Sequence, residues 1–242
     1  WWEIDYAPDP LVPSDNFNTV AYAGNGGTQA ITTGFTPDLV WTKQRSSPSR
    51  DHLLNDSVRG ANKILYPNLT NAQDTAGGPS SAYFNSFDSN GYTIGSSQYY
   101  NDSSLNYVSW SWKAGGAARN NTDGSIASLV SANTAAGFSI VSYTGNSTVG
   151  ATIGHGLGVK PELFFIKGLS GIRDWIAWCN EDNTKLGYLN YTDAFDSSRY
   201  SWALNSTQPT STTITFSNDA ATNGSGNYIA YCWRSIAGYS KI

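Results

Sequence analysis

The residue types that most often perform chemistry are rare in this sequence, and their spacing does not suggest a site. The chain has only two histidines, His52 and His155, and neither has a cysteine or another histidine at a ligand spacing. A zinc centre usually needs four nitrogen, sulfur or carboxylate ligands held close together. The sequence therefore predicts no metal site and no cofactor.

Motifs for covalent, phosphoryl or glycosidic catalysis are also missing. The sequence has no Gly-x-Ser-x-Gly elbow and no phosphate-binding glycine loop that opens a helix. Neighbouring acids such as Asp51 with Asp56, or Glu181 with Asp182, could in principle cleave a glycoside, but their spacing is equally typical of solvated loop acids. We predict no catalytic residue and no enzymatic activity.

The segment Asp88-Ser89-Asn90-Gly91 resembles a fragment of a calcium-binding loop. A complete loop needs further oxygen ligands and a closing bidentate acid, which do not follow here. Asn-Gly between alternating apolar residues is instead a strong signal for a tight hairpin turn. We therefore predict a hairpin.

The composition indicates a neutral, turn-rich β protein. Charged residues make up 13% of the chain, glycine occurs 24 times, and the formal net charge is −4. A weakly acidic chain has no electrostatic attraction for nucleic acid or for an anionic membrane. No stretch approaches the roughly 18 apolar residues of a membrane span. The complete lack of methionine predicts that the chain is part of a longer protein or a processed product.

Two long segments recur at one spacing. Asn106–Lys113 returns as Asn227–Arg234, an offset of 227 − 106 = 121 residues, and Phe17–Asn25 returns at the same offset as Phe138–Asn146. Shared spacing at independent places predicts a tandem duplication. The first of these segments alternates large apolar with small or polar residues, so we predict a strand with one buried face that carries Val108, Trp110 and Trp112.

Shorter motifs recur as well. The pattern Pro-acid-Leu-x-aromatic-x-Lys occurs at 37–43 and 161–167, and Arg-Asp occurs at 50–51 and 173–174. Because these residues return at matching places, we interpret them as features of the fold. The two cysteines, Cys179 and Cys232, both lie in the second copy, and a disulfide and two free thiols both remain open.

These signals predict an all-β fold of two tandem β-sandwich modules related by internal duplication. An extended arm occupies residues 1–15, because Pro8, Pro10 and Pro13 disfavour a helix. The first module spans 16–116 and the second 137–242. Residues 117–136, which are rich in Gly, Ala, Asn, Ser and Thr, are predicted to connect them.

Several longer motifs are distinctive as a set. They are Gly-Phe-Thr-Pro-Asp-Leu-Val-Trp-Thr-Lys (34–43), Asp-Ser-Val-Arg-Gly (56–60), Phe-Asp-Ser-Asn-Gly-Tyr-Thr-Ile-Gly (87–95), Gly-His-Gly-Leu-Gly-Val-Lys-Pro (154–161) and Tyr-Ile-Ala-Tyr-Cys-Trp (228–233). Together these motifs resemble modules of tail-fibre and other virion proteins of tailed bacteriophages, particularly marine ones.

The resemblance implies a concanavalin- or laminin-G-like jelly-roll sandwich on a phage virion. It implies a tail-fibre or spike adhesin that attaches to host surface glycans. The alternative is a purely structural component, a capsid decoration or fibre segment that contacts other virion subunits. It also implies a homo-oligomer, commonly a trimer, although no coiled-coil heptad supports this.

We expect a ligand site where aromatic residues lie among polar ones, because the alternating pattern of a strand does not require such aromatic residues to be buried. Tyr99 and Tyr100 meet this condition, and their neighbours Gln98, Asn101 and Asp102 could bind sugar hydroxyls. We predict a glycan site on this loop. In the alternative, one tyrosine caps the sandwich and the other covers a neighbouring subunit.

Overall fold

The computed structural model describes residues 11–46, 50–75 and 83–242. The all-β prediction is confirmed, because the described residues contain one α-helix, α1, of 8 residues. The predicted arm lies mostly outside the described residues, and its last part, Pro13–Asp15, forms a 3₁₀ turn. The strands and the helix are β1 (Phe17–Ala23), β2 (Gln29–Thr32), β3 (Leu39–Gln44), β4 (His52–Asp56), β5 (Lys63–Ile64), β6 (Asp74–Thr75), β7 (Phe84–Asp88), β8 (Gly91–Ile94), β9 (Asn106–Trp112), β10 (Arg119–Asn121), β11 (Ser128–Asn133), β12 (Phe138–Thr144), β13 (Thr152–Gly154), β14 (Leu163–Gly168), β15 (Trp175–Cys179), β16 (Gly187–Tyr188), α1 (Ser197–Leu204), β17 (Thr213–Thr215) and β18 (Asn227–Trp233).

Two large antiparallel sheets organise the chain. The first has the order β1-β9-β3-β4 and the second the order β10-β11-β12-β18-β14-β15-β16. Four neighbouring strands of the second sheet, β12-β18-β14-β15, are arranged in the same order as the four strands β1-β9-β3-β4 of the first sheet. The segment 117–136, predicted to be a connection, instead contributes β10 and β11 to the second sheet, where Ile126 and Val130 are buried.

Apolar side chains cover both faces of each large sheet. The outer face of the first sheet packs on the small sheet β2-β8-β7 through Val40, Leu53, Tyr92 and Ile94. The outer face of the second sheet packs on β13, β17 and α1. A third cluster contains residues from both large sheets, among them Leu39, Leu54, Ile140, Ile229 and Tyr231. The two large sheets therefore pack face to face, with a smaller layer outside each.

This packing corrects the predicted burial of β9. Tyr107, Ser109 and Ser111 are buried on the face toward the small sheet, whereas Trp110 and Trp112 are only half-buried on the face toward the second sheet. The alternation of the strand was predicted correctly, but both faces are covered because a second layer packs against each. Tyr231, on the corresponding strand β18, is fully buried.

A buried ion pair next to the first large sheet accepts a hydrogen bond from the second large sheet. The Arg59 guanidinium lies 2.5 Å from Asp56 Oδ2, and the Tyr231 hydroxyl donates to the same oxygen at 2.6 Å. Arg59 also donates to the Leu54 carbonyl at 3.3 Å and to Gln73 Oε1 at 3.2 Å. The Asp-Ser-Val-Arg motif thus supplies a charged contact that is shielded from water, where removal of one partner is costly.

The shorter recurring motifs hold loops in place. Lys43 Nζ donates to the Arg50 carbonyl, and Lys167 Nζ donates to the Arg173 carbonyl at 2.5 Å. Asp38 Oδ2 accepts the Ala114 backbone N–H at 2.8 Å, just after β9. These contacts agree with the interpretation of the motifs as features of the fold.

The turn and cysteine predictions have clear outcomes. Asp88 pairs with Gly91 at the end of the β7–β8 hairpin, and its carboxylate accepts the Ser86 and Thr93 hydroxyls at 2.7 Å each. Cys179 and Cys232 are free thiols. The strand register places them on opposite faces of the second sheet, so a disulfide cannot form without distorting the sheet. The described part of the chain has no helix that is long and apolar enough to cross a membrane.

Candidate functional site

The predicted ligand loop lies at one end of the first large sheet, between β8 and β9. Tyr100 is 0% exposed and belongs to the outer core of this half. Its hydroxyl donates to Asn55 Oδ1 at 2.8 Å, and its ring packs edge-on against Phe84 at 6.3 Å. Tyr100 therefore anchors the loop, and its ring is not available to stack on a sugar.

Asn101 is also 0% exposed. Its amide donates to Asn25 Oδ1 at 2.9 Å, to the Gly27 carbonyl at 2.6 Å and to the Gly95 carbonyl at 3.1 Å. Its Oδ1 accepts the Asn25 backbone N–H at 2.7 Å. Through these bonds Asn101 holds three chain segments together. The prediction that Asn101 contacts a ligand is therefore wrong, and its role is structural.

The remaining predicted residues lie at the surface. The Arg50 guanidinium lies over the half-buried Tyr99 ring at 5.1 Å and donates to Gln98 Oε1 at 2.8 Å. Asp102 Oδ1 accepts the backbone N–H of Ser104 at 3.0 Å and its hydroxyl at 2.8 Å, and these bonds lower the pKa of Asp102. Gln98, Tyr99 and Asp102 remain candidate ligand contacts.

The second half builds a matching loop at residues 220–224. Asn223 is buried; its amide donates to the Thr148 and Ser217 carbonyls, and its Oδ1 accepts the Asn146 backbone N–H at 2.9 Å. Tyr228 accepts the Gly224 N–H at 2.7 Å and donates to the Ala220 carbonyl at 2.8 Å.

Tyr107 makes the corresponding pair of bonds in the first half. Its hydroxyl accepts the Asp102 N–H at 3.0 Å and donates to the Gln98 carbonyl at 2.8 Å. The tyrosines stack on matching partners, Tyr107 on Tyr22 at 5.2 Å and Tyr228 on Tyr143 at 5.1 Å. One hydrogen-bonded framework therefore shapes the same end of both sheets.

A surface pocket lies beside this framework in each half. The first has a volume of about 420 Å³ and is lined by Ala21, Tyr22, Ala23, Arg45, Ser46, Asn106 and Tyr107. The second has a volume of about 410 Å³ and is lined by Ser147, Gly168, Ser170, Arg173, Asn218, Ala220, Gly224, Ser225, Gly226, Asn227 and Tyr228. Both volumes fall within the range of small-molecule sites.

The two pockets correspond in position. Asn106 and Asn227 begin the strands β9 and β18, and Ser46 and Ser170 lie two residues beyond the ends of β3 and β14. Their described lining offers amide, hydroxyl and guanidinium groups, with no carboxylate, imidazole or thiol. Such a lining can hydrogen-bond a ligand rich in hydroxyl groups.

Both histidines make hydrogen bonds within the fold. The Trp41 indole N–H donates to His52 Nδ1 at 2.9 Å. Burial, followed by the nearby charge of Lys43, lowers the pKa of His52. His155 is fully buried just after β13, where its Nδ1 accepts the Leu157 N–H at 3.3 Å. Within the described ranges, no three His, Cys, Asp or Glu residues form a group that could hold a metal ion.

The sequence contained a signal for the second pocket that our prediction did not use. The loop 98–102 corresponds to 220–224 at an offset of 122 residues, close to the offset of the repeat. Moving the predicted loop by this offset points to Ala220 and Gly224, which line that pocket. Arg173 was interpreted only as part of a recurring Arg-Asp motif, and Asn218 had no comparable signal, because only the folded chain brings the two together.

A family model described as "Domain of unknown function (DUF7483)" matches residues 12–242. No curated protein and no solved structure shows a significant match to the chain. The match covers nearly the whole sequence, and the chain therefore belongs to this family of unknown function.

Proposed function

We propose that this chain is a non-enzymatic phage virion protein, a tail-fibre or spike adhesin module that attaches to host surface glycans. The observation that carries the glycan part is the pair of polar pockets at corresponding ends of the two large sheets. The virion part rests on the motifs that resemble tail-fibre modules. The described lining of both pockets has no Asp, Glu, His, Lys or Cys, and its only side chains that could act as a general acid or base are tyrosines.

The pocket chemistry suits saccharide hydroxyls. Asn227, Asn218 and Ser170 supply both donors and acceptors in the second pocket, and Arg173 adds a fixed fork of donors. Arg45, Ser46 and Asn106 supply similar groups in the first. Open, polar pockets of this kind bind weakly on their own.

Weak sites gain strength when several act together. Each chain carries both of these polar pockets. Attachment through both raises the apparent affinity without any new contact, provided that one glycan surface can reach both. A virion that carries many copies increases this effect further. An adhesin built in this way would tolerate a weak individual site.

The test is binding of the purified chain to host cells and to their extracted surface polysaccharide. The double variant Asn106→Trp, Asn227→Trp places a bulky ring in both pockets at exposed strand positions and should reduce binding at least tenfold. Asn120→Trp, an exposed strand position in β10 outside both pockets, is the matched control. Binding that survives the double variant would reject the pockets as the glycan site.

The non-enzymatic part has its own test. Incubation of the purified chain with host polysaccharide should release no reducing ends. Turnover that a single acid-to-amide substitution abolishes would overturn this part of the proposal and favour a depolymerase.

A second function, a purely structural virion component, is favoured by an apolar pocket that opens on the surface and is lined in part by Trp41, Trp112, Phe165 and Trp233. Contiguous apolar surface of this kind can mark a contact with another subunit. Labelling of intact particles separates the two functions, because a component internal to a fibre is inaccessible to antibody and an adhesin is reached at its tip.

We further infer that the two halves are copies of one jelly-roll-like module. The repeated strand order, the paired Asn101 and Asn223 frameworks and the common offset of 121 residues support this duplication. The boundaries 16–116 and 137–242 stay a prediction. Residues 117–136 are better assigned to the second copy, because β10 and β11 pair in its sheet.

A further inference from the structure

Among the described residues, strand β1 pairs with β9 alone, along all seven of its residues. Its other edge has no strand partner in that part of the chain, and we call it the free edge. The corresponding strand β12 lies between β18 and β11, so both of its edges are bonded. The difference shows in burial, because β1 is half-buried or exposed throughout whereas β12 is mostly buried.

The backbone groups that face the free edge can be identified. Gly24 N donates to Leu105 O and Asn16 O accepts from Lys113 N, both at 2.9 Å, so these residues, which flank β1, bond toward the β9 side. Bonding directions alternate along an antiparallel strand. The N–H and C=O groups of Phe17, Thr19, Ala21 and Ala23 therefore point toward the free edge. In agreement, the Ala23 carbonyl accepts the Gln29 side chain at 3.2 Å.

Free edges are normally protected by charge, proline, a bulge or short length. β1 has none of these: its sequence Phe-Asn-Thr-Val-Ala-Tyr-Ala is uncharged and its register with β9 is unbroken. The outer strands of the second sheet are short, β10 with three residues and β16 with two. β4 contains His52 and Asp56, and its Leu54 bonds to Leu65.

The chain that precedes β1 is poorly suited to cover this edge as β11 covers β12. At the offset of 121 residues, β11 corresponds to residues 7–12, which include Pro8 and Pro10. Proline has no N–H to give to a ladder. An uncharged strand from another molecule fits the edge better.

We propose that two copies of this chain pair through β1, antiparallel about a two-fold axis at Val20. This register sets Phe17 opposite Ala23 of the second copy and Thr19 opposite Ala21. Phe17 then meets a small side chain, Val20 meets its own copy at the axis, and no like charges meet. The outward backbone groups of both strands bond each other, and the Ala23 carbonyl, which also accepts Gln29, has a second lone pair for this bond. Because Ala21 and Ala23 line the first pocket, the second copy would complete its rim.

Ala21→Pro tests this pairing. It removes an outward N–H that the β1–β9 ladder does not use, so the fold should be retained while the dimer weakens at least tenfold in sedimentation velocity. Ala21→Val, which keeps the N–H and favours strands, is the matched control and should leave the dimer intact. Thr19→Lys places like charges near the axis and should act as Ala21→Pro does, which guards against a local proline effect.

Each other outcome overturns the proposal. A monomeric or trimeric full chain would reject the two-fold pairing. A dimer that is unaffected by both Ala21→Pro and Thr19→Lys would place the contact elsewhere. A monomer that dimerises only after deletion of residues 1–10 would show that the chain covers its own edge.

Discussion

The two halves of the molecule share a framework and differ around it. Asn101 and Asn223, and likewise Tyr107 and Tyr228, make matching hydrogen bonds in loops of unlike sequence. Outside this framework, β12 has a neighbour on both edges and β1 on one. The residues that occur in both halves are therefore those that hold the loops and strands in place. The two halves differ in the chain segments that surround these shared residues.

The largest expected effect concerns the Arg59–Asp56 ion pair of the first half, to which Tyr231 of the second half donates a hydrogen bond. Arg59→Leu leaves the Asp56 carboxylate buried without its cation, so the free energy of unfolding should fall by about 3–5 kcal/mol. Tyr231→Phe removes only one donor to the same carboxylate and should cost about 1.5–3 kcal/mol. Urea titration followed by fluorescence measures both.

The same titration examines whether the halves are separate. Asp56 and Tyr231 come from different halves and share a buried hydrogen bond, and one apolar cluster contains residues of both large sheets. Both variants should therefore unfold in a single transition at lower urea. Two resolved transitions, with only the first half affected, would show that the halves fold independently.

A second test compares the framework itself. Asn101→Ala and Asn223→Ala each leave buried backbone groups without partners. Each substitution should lower the free energy of unfolding by about 2–4 kcal/mol, at roughly 1 kcal/mol or more for each bond lost. Gln98→Ala, on the surface of the same loop, is the control and should change it by less than about 0.5 kcal/mol. A cost at only one of the two asparagines would mean that the frameworks are not equivalent.

The third test asks whether Lys167 makes stability depend on pH, with Lys43 at the corresponding place in the first half for comparison. Burial lowers the pKa of Lys167 to about 8, with Asp174 opposing the shift. The folded state therefore releases this proton before the unfolded state, whose lysine titrates near 10.4. Stability should rise between about pH 8 and pH 9, by at most about 1.4 kcal/mol per pH unit.

Matched variants isolate that effect. Lys167→Met should remove the rise in stability, and Lys43→Met, at the corresponding place in the first half, should retain it. Thermal unfolding at a series of pH values gives the slopes. An equal slope in wild type and Lys167→Met would assign the rise to another group.

The sequence allowed the all-β class, the strand alternation and the Asp88–Gly91 hairpin to be predicted, because these follow from local patterns of residues. It did not allow the burial of Tyr100 to be predicted. That ring lies in a polar loop, and its burial depends on Phe84 and Asn55, which are distant in the chain. The half-burial of Trp110 was missed for a similar reason, since its face of the first large sheet lies toward the second large sheet, which is distant in the chain.

The smallest test concerns a single position where the halves differ. Cys232 on β18 and Ser111 on β9 are both fully buried, but the Ser111 hydroxyl has no hydrogen-bond partner. A buried hydroxyl without a hydrogen-bond partner lowers the free energy of unfolding, whereas a thiol of similar shape can be buried in apolar surroundings at little cost. In agreement, burial raises the pKa of the Cys232 thiol to about 12. Ser111→Cys should therefore raise the free energy of unfolding by roughly 1 kcal/mol, and Cys232→Ser should lower it by a similar amount.

Urea midpoints under reducing conditions measure both, with Ser104→Cys on the exposed loop as the control for adding a thiol. If Ser111→Cys destabilises the chain, the hydroxyl has a partner in solution, and the first half depends on its serine as the second depends on its cysteine.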